Sequence, residues 1–222
     1  MRWAALFLIA FTTAQAQSLD AVLAKMDQAA PGFRGMTSDI EMASFTAVLN
    51  DLSKESGTIV ILRPRAKDTR MLAQFTKPDP RSVSFAGKKL QIFYPKIKTV
   101  QEYDLGKQAA LIDQFLLLGF GASGSDLKQN YDIKYLGEES LASQKTAHLE
   151  LTPKSEEARK HVPRVELWIA DSNSQPLQQK IWKSAKDYNL ITYSDLKLSP
   201  TLKEDAVQLK LPAGVKKEYP QK

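Results

Sequence analysis

Three stretches follow one another closely: Gly57-Thr58-Ile59-Val60-Ile61-Leu62-Arg63-Pro64, then Met71-Leu72-Ala73-Gln74-Phe75-Thr76-Lys77-Pro78, then Ser84-Phe85-Ala86-Gly87-Lys88-Lys89-Leu90-Gln91-Ile92-Phe93-Tyr94-Pro95. Each is a short apolar run rich in β-branched and aromatic residues and bounded by proline, glycine or charged turn residues. That pattern predicts three strands. Strand side chains alternate between two faces. Ile59, Ile61 and Arg63 therefore share one face of the first strand, Met71, Ala73 and Phe75 one face of the second, and Leu90 and Ile92 one face of the third. An apolar sheet surface that carries one arginine and no catalytic constellation is suited to holding an apolar ligand. The chemistry it predicts is burial and release.

Outward from this stretch, the spacing of Leu19, Val22, Leu23 and Met26 predicts a helix over Ser18–Ala30, with Ser18 as its cap and Pro31-Gly32 as its stop. Met36–Leu49 reads as a strand and Asn50–Ser56 as a polar turn. Ile97–Tyr103 reads as a further strand. Lys107–Leu118 breaks the alternation: Leu111, Ile112, Phe115, Leu116 and Leu118 place apolar groups around most of a short helix, which must be buried on several sides or cover a ligand. Gly119–Ser125 is a glycine-serine loop, followed by a short helix near Asp126–Gln129. Strands are predicted again at Tyr131–Tyr135, Thr146–Leu151, Val165–Ala170, Gln178–Ser184, Leu190–Leu196 and Val207–Leu211. About ten short strands at regular spacing, with no repeat or linker, predict one antiparallel barrel or sandwich domain.

The N-terminus carries a different signal. Arg2, the apolar run Trp3–Phe11 and the small-x-small site Ala14-Gln15-Ala16 predict a cleaved secretory leader over residues 1–16, with the mature chain starting near Gln17. The apolar run is too short to span a bilayer. The 222 residues, 43% hydrophobic and 25% charged, are enough for one domain with a substantial core. There is no cysteine, which rules out disulfides, thiolate metal sites and cysteine nucleophiles. The net charge of +6 is dispersed, with basic groups at Arg63/Arg65/Lys67/Arg70, Lys88/Lys89, Lys96/Lys98 and Lys216/Lys217. Such a balance describes a solvated basic surface or weak attraction to an anionic partner.

Motifs with catalytic associations lack their context. Gly119-Phe120-Gly121-Ala122-Ser123-Gly124 has the form G-x-G-x-x-G, but it follows an apolar helix rather than a strand, so a lid hinge is the better reading. Gly121-Ala122-Ser123-Gly124-Ser125 misses the last glycine of a nucleophile elbow. His148 and His161 have no metal spacing and read as an ordinary strand residue and a loop residue. Glu138-Glu139 and Glu156-Glu157 read as solvated pairs in turns. Phe93-Tyr94 with Lys96 and Lys98 imitates a nucleic-acid surface, which export argues against. No catalytic residue, metal or cofactor is expected.

The order of several motifs resembles the LolA family, periplasmic carriers of outer-membrane lipoproteins. They are the leader and amphipathic first helix; Gly57 through Arg63-Pro64; Phe75-Thr76-Lys77-Pro78-Asp79; Gly87-Lys88-Lys89-Leu90 with Phe93-Tyr94-Pro95; Phe115-Leu116-Leu117-Leu118-Gly119; Leu149-Glu150-Leu151-Thr152-Pro153-Lys154; and Leu211-Pro212-Ala213-Gly214-Val215. The resemblance covers nearly the whole mature chain, 17–222, as a single domain. It implies an incomplete antiparallel β-barrel with a helical lid over a hydrophobic cavity for lipoprotein acyl chains. Ile59, Ile61, Met71, Phe75, Leu90 and Ile92 would line that cavity. Arg63 matches the family arginine that hydrogen-bonds the lid, and Leu111, Phe115 and Leu118 would take part in the gating. The implied partners are lipidated proteins, an inner-membrane lipoprotein exporter and an outer-membrane acceptor, with no nucleic acid. The implied protein is a periplasmic monomer that does not span the membrane. Two departures stand out: Ala86 replaces the usual aspartate before Gly87-Lys88, and the turn after Pro64 is more basic. A lipid or glycolipid carrier, or an envelope-stress sensor of the same fold, would fit the residues too. Met71, Phe75, Ile92, Leu111 and Phe115 equally fit a packed core, because periodicity does not separate a filled core from a cavity.

Overall fold

Helix α1 (Leu19–Ala29) opens the chain, as its apolar spacing predicts. The Ser18 hydroxyl accepts from the Ala21 amide at 3.2 Å, and Val22, Leu23 and Met26 form the buried face. The structure is a computed structural model and describes residues 18–65, 68–106, 109, 118–199 and 201–221. The predicted leader lies outside the described residues. So does most of the predicted Lys107–Leu118 helix, including Leu111 and Phe115.

The described residues form one sheet of twelve strands: β1 (Gly35–Thr46), β2 (Asp51–Arg65), β3 (Asp68–Lys77), β4 (Arg81–Ala86), β5 (Lys89–Tyr94), β6 (Thr99–Asp104), β7 (Tyr131–Leu141), β8 (Gln144–Pro153), β9 (Arg164–Ala170), β10 (Pro176–Trp182), β11 (Tyr188–Leu198) and β12 (Lys216–Glu218). Their order across the sheet is β12-β6-β5-β4-β3-β2-β1-β11-β10-β9-β8-β7. The two edges, β12 and β7, do not meet, so the sheet is open. Neighbours are antiparallel except β12, which runs parallel to β6. Two short helices accompany it, α2 (Gly124–Asn130) and α3 (Glu156–His161). No helix among the described residues is long and apolar enough to cross a membrane.

The mainly-β expectation holds, with four local corrections. The predicted third strand is two strands, β4 and β5, folded back on each other by a tight turn at Gly87-Lys88 with Ala86 opposite Lys89; Gly87 has φ 60°, a conformation that costs glycine nothing. Asn50–Ser56 is not a turn. The β1–β2 pairing runs out to Thr46 opposite Asp51, and only residues 47–50 turn. The polar residues there pair across the hairpin, as Lys54 does with Glu41 at 3.0 Å. Gly137 does not end β7: the register shifts there, at φ 125°, and the strand continues to Leu141, which puts Glu138 and Glu139 in a strand. Val207–Leu211 is not a strand. A 3₁₀ turn at Glu204–Val207 leads into an extended strap, and Val207 with Leu202 and Leu209 packs on Leu62 and Leu72. Apolar alternation in that strap reflects one-sided packing on the outer face of β2 and β3 rather than a ladder.

Registry defines the inner face. Met36, Ile61, Met71, Phe85, Leu90 and Tyr103 stand opposite one another across six strands. Beyond β1, Ile40 meets Tyr193, and Met42, Ile191, Gln179, Leu167 and Leu149 continue across to β8. α1 lays Val22, Leu23 and Met26 on the β8–β9 half, against Leu149, Leu151, Val165 and Leu167.

Candidate functional site: a latched apolar face

Ile59, Ile61, Met71 and Phe75 are buried in one cluster with Met36, Ile40, Ala73, Phe85 and Tyr193. Leu90 is half-buried against the same cluster. Ile92 shares Leu90's side of β5, opposite Val83 and Gln101, and is half-buried outside that cluster. Four further members come from segments outside the sheet: Phe33 after α1, Leu105 and Ala109 after β6, and Phe120 before α2. These groups lie over the strands and cover part of the face.

Arg63 is the last inner-face residue of β2 before Pro64. Its amide donates to the Arg34 carbonyl at 2.8 Å, which fixes the strand end beside the segment leaving α1. Its guanidinium reaches backbone carbonyls of the described covering segments. Nη1 donates to Gly121 at 2.9 Å, and Nη2 donates to Ala30 at 2.8 Å and Phe33 at 3.1 Å. Its carbon lies 5.1 Å from the centre of the Phe33 ring. A planar fork that is always charged can hold several carbonyls at once, and each bond is charge-assisted. Arg63 thus ties two covering segments, 30–33 and the Gly121 loop, to the sheet. Arg63, Leu118, Gly121 and Leu127 also line a cavity of about 160 Å³, below the ~300–1,000 Å³ of ordinary ligand pockets.

A second anchor was not anticipated. Gln179 lies on the inner face of β10 and is 4% exposed. Its amide nitrogen donates to the Leu118 carbonyl, and its oxygen accepts from the Tyr193 hydroxyl at 2.9 Å. Phe120 meets the Tyr193 ring edge-on at 4.8 Å and 86°. Burial pushes the Tyr193 phenol well above its ordinary value. Of the predicted gating residues, Leu118 is buried and its carbonyl accepts from Gln179, while Leu111 and Phe115 lie outside the described residues. The only signal for Gln179 in the sequence is a polar residue at an inward position of a strand, which alternation alone assigns to no partner.

The glycines of the G-x-G-x-x-G run have a packing reason. A Cβ on Gly121, where φ is 63°, would lie 2.6 Å from the Phe33 ring, and one on Gly124 would lie 2.4 Å from the Leu23 carbonyl oxygen. The loop presses against α1 and the segment after it. Ser123 caps α2, accepting from the Asp126 amide at 3.0 Å.

At the other end of the inner face, Arg81 and Glu55 pair two-pronged, one prong at 2.8 Å, and Arg81 sits 4.1 Å over the Phe75 ring. The basic turn after Pro64 is partly neutralised: Arg65 and Arg70 share Asp68, and Arg70 also reaches Glu204 at 3.0 Å. Arg70 holds the Asp68 carboxyl below its usual range. His148 lies on the outer face between Glu139 (2.7 Å) and Glu166 (3.1 Å), stacked on Trp168 at 4.1 Å. The Trp168 indole donates to Glu139, and that bond leads the effects holding this carboxyl below its usual range. His161 ends α3, 3.6 Å from Glu157. The Ser123 hydroxyl is engaged with Asp126 and Ser125 rather than with either histidine.

The geometry is that of an apolar sheet face covered by segments that polar side chains tie down. The family model described as outer membrane lipoprotein carrier protein LolA matches residues 43–210, most of the chain. The chain belongs to the LolA family. No curated protein sequence matches it. Among solved structures, an uncharacterized conserved protein from Thermus thermophilus is similar at TM-score 0.55 and 12% identity, over 91% of this chain and 99% of that one. MucB is similar at TM-score 0.52 and 16% identity, over 86% of this chain and 62% of MucB. This LolA-family chain thus spans about three-fifths of MucB's length. At these identities the likenesses show the fold alone.

Proposed function

We propose that the protein is a non-enzymatic periplasmic carrier. It takes the acyl chains of lipoproteins onto its inner apolar face and passes them from an inner-membrane exporter to an outer-membrane acceptor. The observation that carries this reading is the Arg63 guanidinium, which holds the carbonyls of Ala30, Phe33 and Gly121 over Ile59, Ile61 and Met71. The covering groups Phe33 and Phe120 occupy space that acyl chains would need, so cargo and cover compete. Burying an acyl chain is worth about 0.8 kcal/mol per CH₂, enough for a multi-chain anchor to displace a cover held by a few hydrogen bonds. Release follows when the cover closes again or an acceptor binds the cargo more tightly. Family membership supports a lipid- or lipoprotein-binding role, and the leader that the sequence predicts over residues 1–16 supports the periplasm.

The test is native mass spectrometry of the mature protein with a synthetic diacylated or triacylated lipopeptide, for wild type and Arg63→Leu. The charge-assisted bonds to Ala30, Phe33 and Gly121 vanish in the variant, each worth about 1.5–3 kcal/mol. Water recovers part of that at a half-buried site. A residual 1.4–2.8 kcal/mol corresponds to about tenfold to hundredfold tighter retention. Lipopeptide binding that tightens in the variant supports the carrier. Co-purified free phospholipid or glycolipid moves the assignment to lipid transfer. A protein that stays empty and refuses the lipopeptide refutes carriage and leaves a sensor of the same fold as the better account.

A further inference from the structure

The β1–β2 hairpin runs past its neighbour. β3 pairs with β2 only from Ser56 onward, so the part of the hairpin from Thr46 to Glu55 extends beyond β3. On its other side the hairpin is braced by β11, where Phe45 stands opposite Tyr188, and by the Asp187 carboxylate, which accepts from the Ala47 amide at 2.8 Å. The projecting tip is apolar. Val48 is 89% exposed, Leu49 74% and Leu52 50%. Exposed aliphatic groups clustered on a projecting, braced turn mark an interaction site, because isolated in water they are an aggregation liability.

The surroundings specify the partner. Behind the tip, Phe45 packs on Tyr188 at 5.3 Å, and Tyr188 on Trp182 at 5.2 Å. The Lys180 ammonium sits 4.3 Å from the Trp182 ring centre and 4.2 Å from that of Tyr188. The adjoining β10–β11 turn adds Lys183 and Lys186, so three lysines stand against Asp51 and Asp187. The 183–187 turn reaches the level of Ala47, beyond the Trp182–Tyr188 pair, so Lys183 and Lys186 flank the aliphatic tip while the aromatic rings and Lys180 lie behind it; apolar groups flanked by cations and backed by aromatics are what an anionic bilayer interface receives. A protein partner would supply complementary carboxylates and shape. A bilayer needs only exposed apolar groups flanked by cations, and the chain's net charge of +6 favours an anionic one.

We propose that the β1–β2 hairpin tip is a docking element for anionic phospholipid bilayers, inserting Val48 and Leu49 while Lys180, Lys183 and Lys186 meet lipid phosphates. This reaches beyond the carrier reading and does not depend on which cargo the inner face holds. The test is sedimentation of the mature protein with phosphatidylcholine vesicles, with and without phosphatidylglycerol. Wild type is expected to sediment with the phosphatidylglycerol vesicles, less so at raised ionic strength. The double variant Val48→Asp/Leu49→Asp should lose at least about tenfold in affinity, and it should stay folded because both side chains are exposed. Leu136→Asp, at a 49% exposed position on edge strand β7, should bind as wild type. No sedimentation with phosphatidylglycerol vesicles, equal binding to pure phosphatidylcholine, or undiminished binding by the double variant overturns the proposal. Lipopeptide loading measured on the same double variant keeps the two questions apart: loading without vesicle binding leaves the carrier intact and places the defect at the tip.

Discussion

Replacing Gln179 by leucine tests the second latch directly. Gln179 and Tyr193 are 4% and 7% exposed, so neither reaches bulk water easily. In Gln179→Leu the Leu118 carbonyl loses its donor and the Tyr193 hydroxyl its acceptor. A buried polar group left without its partner costs about 1–3 kcal/mol, so the variant should lose about 2–5 kcal/mol of stability. Tyr193→Phe strands only the Gln179 oxygen and should cost about 1–2 kcal/mol. With both changed, only the Leu118 carbonyl is stranded, so the double variant should be no less stable than Gln179→Leu alone. The resulting coupling should be at least about 1 kcal/mol, against the ~0.3–0.5 kcal/mol scatter of independent sites. The assay is urea unfolding followed by far-ultraviolet circular dichroism. At a slope near 2 kcal/mol per molar, Gln179→Leu should lower the midpoint by about 1–2.5 M with the slope unchanged. A Gln179→Leu cost within about 0.5 kcal/mol of zero, or strictly additive single effects, would refute the latch.

Glycine substitutions and alkaline pH probe the same region. Gly121→Ala and Gly87→Ala place an alanine at nearly the same φ, 63° and 60°, but only the first brings a Cβ to 2.6 Å from the Phe33 ring; nothing lies within 4 Å of the second. Gly87→Ala should cost about 1 kcal/mol of left-handed strain, and Gly121→Ala at least about 1 kcal/mol more; equal losses in thermal or urea unfolding would contradict the close packing of loop and cover. The buried Tyr193 phenol is pushed above its unfolded value, so its contribution to stability is complete below about pH 10 and is lost as pH rises toward the folded value, by up to about 1.4 kcal/mol per pH unit. Tyr193→Phe should flatten the wild type's decline above about pH 10, and parallel declines would show that another group is responsible.

Local chemistry made much of this legible. The Leu19–Met26 spacing, the Ser18 cap and the alternation through Ile59, Ile61, Met71 and Phe75 each depend on neighbours along the chain, and each is where the pattern puts it. Arg63 stood out because it is a charge at an inward position of an apolar strand. The partition of Ser84–Tyr94 into β4 and β5 escaped, because a single glycine with a lysine turns the chain there and apolar residues continue on both sides. The strap at Val207–Leu209 escaped for a related reason: one-sided packing against an existing sheet leaves the same alternation as a strand.

The sequence by itself determined the strand faces, the first helix, the absence of thiol chemistry and the family pattern, since all of these follow from residue type and spacing. Only the tertiary structure decided which faces join into one apolar surface, and what covers it. It brings Arg63 to carbonyls of Ala30, Phe33 and Gly121, and Gln179 to Leu118 and Tyr193, across separations of 30 to 61 residues in all but the last pair. Backbone carbonyls carry no residue identity, so a contact whose acceptor is the main chain leaves no mark in the sequence at its far end. The same holds for the hairpin tip: Val48 and Leu49 read as ordinary apolar strand residues until registry shows that the sheet stops short of them.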